Sequence, residues 1–296
     1  MTATQTGTPL GESQDTPSEA SAGRQPSPPP SPEPPQPAQP AAASHLFGLD
    51  LDQLTLDGVV ARCREAIITR RPLLIGVVNA AKIVNLHKDE QLKASLLDCD
   101  LVLADGQSVV WASRLLKQPL PERVAGIDLF YRLLEEGDRE GWSVYLLGAT
   151  PEVNTTVTQV VTERWPSVRI AGARNGYFTD EEASAVADDI RAAGADMLFL
   201  AMTSPKKEIF LAEYGPRLNV PVIHGVGGSF DVLAGLTTRA PEAWQKLGME
   251  WAYRLAQEPT RLWRRYLVTN TSFIAMVGRE WRDRAATPES SAPRGQ

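Results

Sequence analysis

Five apolar runs of strand length recur in the middle of this chain: LLIGVVN (73–79), LVLA (101–104), WSVYLLGA (142–149), ADMLFLAM (195–202) and VPVIHGV (220–226). None alternates apolar with polar residues, so each expects burial on both faces, the mark of a strand inside a parallel sheet. Between them lie stretches with helical spacing: Ala81–Leu97, Gln107–Leu116, Ile127–Glu135, Glu152–Arg164, Asp180–Ala193 and Pro205–Tyr214. Several carry start signals. Thr150-Pro151 and Ser204-Pro205 place a capping side chain before a proline in the first turn, and Thr179 with Glu182 spells a capping box. The expected fold is α/β, a doubly wound, mostly parallel, Rossmann-like sheet followed by a basic helical C-terminal appendage.

The flanks read differently. Residues 1–44 hold 11 of the 23 prolines and few apolar residues, too little to offset the entropy of ordering, so they are expected to form a disordered, Pro-rich tail. The α/β domain is expected over 45–238, the appendage over 239–284, and a second disordered tail over 285–296. The appendage carries nine Lys/Arg against five Asp/Glu and four of the seven tryptophans, within a chain whose net charge is −6. That acidic balance argues against a nucleic-acid partner. Cys63 and Cys99 lack metal-ligand spacing and suggest a reducing compartment. With only three histidines in the chain, no metal site is expected. No apolar run is long enough to span a bilayer and no signal peptide is evident, so a cytoplasmic location is expected.

Ligands of open α/β sheets sit beyond the carboxyl ends of the strands. That rule selects the loops starting at Asn79, at Asp105-Gly106, at Thr150, at TSPKKE (203–208) and at GGSFD (227–231). Each feeds a helix N-terminus, where free N–H groups favour an anion such as a nucleotide diphosphate. Asp105 is the one acid directly at the first three strand ends, and suits a general base acting on an acceptor hydroxyl. Taken singly, each residue has a plainer reading. Asp105-Gly106 makes a turn, Asn79 caps a helix, Arg123 holds a surface carboxylate, and Lys206-Lys207 is a solvated helix start. A dinucleotide enzyme would need G-x-G-x-x-G after the first strand, where this chain has GVVNAAK, and no Walker A motif is present. A nucleotide-sugar oxidoreductase or epimerase, and a catalytically inactive carbohydrate-binding relative, remain as alternatives.

Six segments in order, VNAAKIVNL, DCDLVLADGQSVVWASRLL, PERVAGIDL, SPKKEIFLAEY, GVGGSFDVLAGLTTRAPEAW and GMEWAYRLAQEPTRLWRRYL, resemble the WecG/TagA/CpsF glycosyltransferases from about Leu49 to Phe273. The resemblance implies a metal-independent, inverting transferase with no cofactor. It would move a sugar from a UDP-sugar to a polyprenyl-diphosphate-linked acceptor, peripherally at the cytoplasmic face of the membrane, for a bacterial surface polymer. It puts the base on Asp105 and a catalytic arginine on Arg123. Substrate contacts fall on Asn79, Lys207, Asp231, Arg254, Arg261 and Arg264. Two positions depart from the family pattern: Val77 where many members have Thr, and Lys207 where many have Gln. Lys207 would offer charge to the diphosphate or to a uronic acid carboxylate, so the donor sugar stays open. In the appendage Trp244, Leu247, Trp251, Leu255 and Leu262 fall near helical spacing among Arg254, Arg261, Arg264 and Arg265, with Pro259 expected to break the segment. This face is expected to meet an anionic membrane, or else to pack on the sheet domain or on a second copy in a homo-oligomer.

Overall fold

The computed structural model describes residues 42–86, 88–246, 248–257 and 259–286, without the side chains of Glu242, Lys246, Arg254, Arg261, Leu262 and Arg265. Its centre is a six-stranded parallel sheet built from β3 (Leu73–Val78), β4 (Leu101–Ala104), β5 (Ser143–Gly148), β6 (Arg169–Arg174), β7 (Met197–Ala201) and β8 (Val222–Gly225), in the order β4-β3-β8-β7-β5-β6. All five apolar runs lie in it, and β4, β5 and most of β7 are buried at every residue.

Helices cover both faces. One face packs α1 (Leu56–Thr69), α5 (Gly126–Glu140) and α6 (Pro151–Arg164) around Phe130, Leu133, Leu146 and Phe199. The other is covered in two parts. Over β3 and β4 lie α2 (Ala80–Leu86), α3 (Glu90–Leu97) and α4 (Gln107–Leu115). Over β5, β7 and β8 lie α7 (Asp180–Ala193) and α8 (Lys206–Tyr214). Capping fixes several starts. The Thr150 and Thr179 hydroxyls accept the Val153 and Glu182 N–H groups, and the Thr179–Glu182 box is complete.

Several expectations are corrected. The single helix expected over 81–97 is two, because the Asp89 carboxylate accepts the Leu92 N–H and starts α3 afresh. Ser204 does not cap α8; its hydroxyl donates to Glu208 Oε1 at 2.9 Å, and the helix begins after Pro205. Ala43 and Ser44, inside the expected tail, belong to β1 (Ala43–Leu46), which pairs antiparallel with β2 (Leu49–Asp52) through a turn with positive φ at Phe47 and Gly48. The Asp52 carboxylate accepts the Val102 N–H at 2.7 Å, so this hairpin covers the β4 edge of the sheet. At the opposite edge, β6 reads RIAGAR, with an arginine at each end and no apolar run, which is how edge strands resist pairing.

After β8 come α9 (Ser229–Leu233), α10 (Glu242–Lys246), α11 (Glu250–Gln257) and α12 (Pro259–Ala286), the last two divided where Pro259 enters the first turn. The C-terminal helices are packed into the same compact unit as the sheet. Phe273 is buried against Phe47, ring centroids 5.3 Å apart, and Glu280 accepts the Phe47 N–H. No helix among the described residues is long and apolar enough to cross a membrane.

Candidate functional site

The carboxyl ends of β4, β3 and β8 lie side by side, and most of the expected site residues are on the loops that leave them. Asp105 follows β4 directly. Its N–H donates to the Val78 carbonyl at 2.8 Å, continuing the ladder one residue past the strand and fixing the carboxylate in place. Oδ1 accepts the Gly126 N–H at the start of α5, at 3.2 Å. Burial pushes the Asp105 carboxyl above its ordinary range, opposed first by Lys82, then by Arg123 and the Gly126 N–H, with Glu250 adding to the rise. The residue is nonetheless partly exposed. A carboxyl whose affinity for a proton is raised by burial, and which is still reachable, is suited to taking one.

Asn79 performs the cap that its plain reading gave it, Oδ1 accepting the Lys82 N–H at 3.1 Å. It also backs onto Gly106, where an added Cβ would sit 3.3 Å from that of Asn79. Arg123 is not on the surface. Its side chain is 15% exposed and joins Asp128 at 3.3 Å and Glu250 of α11 at 3.2 Å. Asp128 also takes Arg239 at 2.6 Å. Arg239, missed in the sequence reading, has Nε and one terminal nitrogen buried without a hydrogen-bond partner among the described residues. The basic Arg123 loop, the α5 start and the α11 start are therefore one charged network.

The two lysines of TSPKKE part company. Lys206 donates to the Gly176 carbonyl at 2.9 Å and to the Phe178 carbonyl, with its ammonium 3.9 Å from the Phe178 ring centre, so it ties down the loop before α7. Lys207 turns to the site. It pairs with Glu208 at 3.1 Å and lies against Gly225, where a Cβ would come within 3.2 Å of its ammonium. Burial pushes Glu208 up, but the Lys207 charge, a backbone N–H and the Ser204 hydroxyl outweigh it and hold the carboxyl below its usual range. Lys82, also missed, folds back from α2 so that Nζ donates to the Val77 carbonyl at 2.7 Å. Burial and the nearby Lys207 lower it to about 8.

Asp231 stands on the first turn of α9, its Oδ2 3.7 Å from where a Cβ on Gly228 would be, on the same edge of the sheet. Arg264 lies on α12 with its guanidinium 5.2 Å from the Trp263 ring centre. The Arg254 and Arg261 side chains, and Leu247, lie outside those described. Along the same edge, past β5 and β6, a cavity of about 580 Å³ is lined by Tyr145, Asn154, Arg174, Asn175 and Tyr177 among others.

Four helices at the β3, β4, β7 and β8 ends meet this region. α2 is capped by Asn79, but α4, α8 and α9 start without a side-chain cap. Away from it, α1 and α3 are capped by Thr55 and Asp89. Uncapped N–H groups beside Asp105 and Lys207 are donors still available to an anion. Among the described residues no group of three or more His, Cys, Asp or Glu is placed to hold a metal ion.

A parallel Rossmann-like sheet with its charged residues and free helix starts gathered on the carboxyl edge is the architecture of an α/β enzyme that binds an anionic substrate there. Residues 44–287 match the glycosyl transferase WecG/TagA/CpsF family, and the chain belongs to it. It is thus a glycosyltransferase of cell-surface polysaccharide synthesis.

Proposed function

We propose that the protein is an inverting transferase that moves a sugar from a UDP-sugar to a polyprenyl-diphosphate-linked acceptor. The observation that carries this reading is the Asp105 carboxylate, fixed by Gly126 and flanked by Lys82 and Arg123 at the mouth of the sheet. Asp105 removes the proton from the acceptor hydroxyl as that oxygen attacks the anomeric carbon from the face opposite UDP. The bond to the diphosphate breaks as the new glycosidic bond forms, and the configuration inverts.

Charge growing on the leaving diphosphate needs donors that are not already committed. Arg123 and Arg239 are matched by Asp128 and Glu250, and Lys207 by Glu208. The uncapped starts of α4 and α8 supply neutral donors, while Arg254, Arg261 and Arg264 supply further positive charge from the C-terminal helices. Asn79 and Asp231 contact the substrate on either side of that charge. Transfer on these terms needs no metal, and activity is expected to persist in EDTA; strict magnesium or manganese dependence would overturn this part.

The deciding experiment incubates the full chain with a panel of labelled UDP-sugars and bacterial membrane extract. Label in the lipid fraction supports the transferase. Oxidised, reduced or epimerised nucleotide sugar selects the oxidoreductase or epimerase, and binding without turnover selects an inactive relative.

A further inference from the structure

We propose that Lys82 is the positioning residue whose charge biases the Asp105 base toward its ionised form, an inference that rests on the transferase reading above. Its place follows from backbone geometry. Asn79 follows β3 and caps α2 through the Lys82 N–H, which sets Lys82 in the first turn. From there the side chain folds back and its ammonium donates to the Val77 carbonyl at 2.7 Å. The next carbonyl along, that of Val78, accepts the Asp105 N–H. The carboxylate is held by the Gly126 N–H, and Gly126 lies against Val77, where an added Cβ would sit 3.5 Å from Cγ2, so the two charges are fixed on the same residue at the end of β3. Gly106 closes on Asn79 from the other side and brings the β4 loop against the start of α2.

The charged groups around the pair come from every element packed on it. Arg123, on the loop before α5, and Glu250, on α11, act on Asp105 with opposite signs. Lys207 and Glu208, on α8, and Cys99, after α3, act on Lys82. Arg123 is shared between Asp128 and Glu250, so much of its charge is already answered. Among the described residues Lys82 has no salt-bridge partner; a neutral carbonyl holds it. It is the stronger of the two cations opposing the effect of burial on Asp105. A lysine held in this way biases the base without touching the sugar.

The test reads Asp105 itself. In full-length protein labelled at aspartate Cγ, the Asp105 resonance is assigned by its loss in Asp105→Asn and titrated by carbon NMR. Lys82→Met is expected to move its midpoint up by about one pH unit or more, and Lys82→Arg to restore most of the shift. Lys82→Gln, which keeps polarity without charge, serves if the methionine variant does not fold. A midpoint unchanged in folded Lys82→Met or Lys82→Gln would overturn the inference. The acid limb of sugar transfer to membrane extract should move the same way. If wild-type protein transfers no sugar while the midpoint still moves, the functional reading fails and the Lys82 effect stands.

Discussion

Three side chains at the site use burial in different ways, and each makes its own prediction. As the proposed base, Asp105 must act as its carboxylate. Asp105→Asn keeps its shape and its contact with Gly126 but removes the base, so turnover should fall by about 10²–10⁴-fold with UDP binding retained; single-turnover assays and UDP titration would check this, and near-normal turnover would remove the role. His224 is needed neutral. It is fully buried, its Nε2 donates to the Gly126 carbonyl at 3.0 Å, and burial lowers it to about 4. A histidine ordinarily titrates near 6.5, so below that pH the unfolded chain binds a proton that the native protein refuses. The stability this gives is present above the ordinary value and is lost as pH falls toward about 4. The linkage is worth about 2 kcal/mol between about pH 7 and about pH 5, and urea unfolding of His224→Gln should show that much less pH dependence than wild type. Lys82, half-hidden under β3, is the group the sequence did not reveal. Lys207 could be found because it belongs to the TSPKKE segment, and Asp105 and Asn79 because each directly follows a strand. Lys82 lies three residues further on, inside a helix, and only the fold-back to Val77 gives it a purpose. Arg239 escaped for the same reason, since its partner Asp128 is far away in the chain and meets it only through the network around Arg123.

At the scale of elements, what was legible follows from how strongly a segment states its period. Strands buried on both faces announce themselves, and β4 spans the LVLA run. β6 does not, because an edge strand has one side to protect and RIAGAR spends its positions on arginine and on glycine; Gly172 lies where an added Cβ would meet the Tyr145 ring at 2.4 Å. The β1–β2 hairpin was hidden by its setting, four-residue strands joined by Phe47-Gly48 at the end of a proline-rich stretch. α12 shows a mixed case. Helical spacing was plain, but which face it buries depends on that unread hairpin. Thr269 and Phe273 are buried, Met276 and Val277 pack beside them, and Arg284 reaches the His45 carbonyl. Phe273→Ala should therefore cost about 3 kcal/mol or more of global stability, as expected for emptying a large buried aromatic site. Urea denaturation would measure it, and a change under about 0.5 kcal/mol, the size of a surface effect, would show that the helix is not part of the core.

For the molecule as a whole, the packed face of α12 leaves a second face that nothing among the described residues covers. Trp263, Leu267, Ile274 and Trp281 are 47%, 58%, 70% and 54% exposed. At 100° per residue these four fall on one stripe, turned away from the face that holds Phe273, and it runs for about 27 Å. Trp251 of α11 extends the apolar ground through its contact with Tyr266, ring centroids 5.8 Å apart. Arg264 and Arg282 stand beside the stripe. Tryptophan suits the headgroup boundary and arginine suits anionic lipid, so we propose that this face lies in the plane of an acidic bilayer. Glu250 of the adjoining α11 grips Arg123, which ties the C-terminal helices to the charged network at the sheet edge. Removing the C-terminal helices would take away Phe273, unroof Phe47 and confuse docking with unfolding, so the useful variant changes only the stripe. Wild-type protein should pellet with phosphatidylglycerol vesicles, less so as salt rises, and poorly with zwitterionic ones. Trp263→Glu combined with Ile274→Glu should abolish pelleting while leaving the melting temperature near wild type. Equal pelleting of variant and wild type would exclude the stripe as the membrane face. Self-association of wild-type protein that the same two changes abolish, without vesicle binding, would assign it to a second copy of the chain.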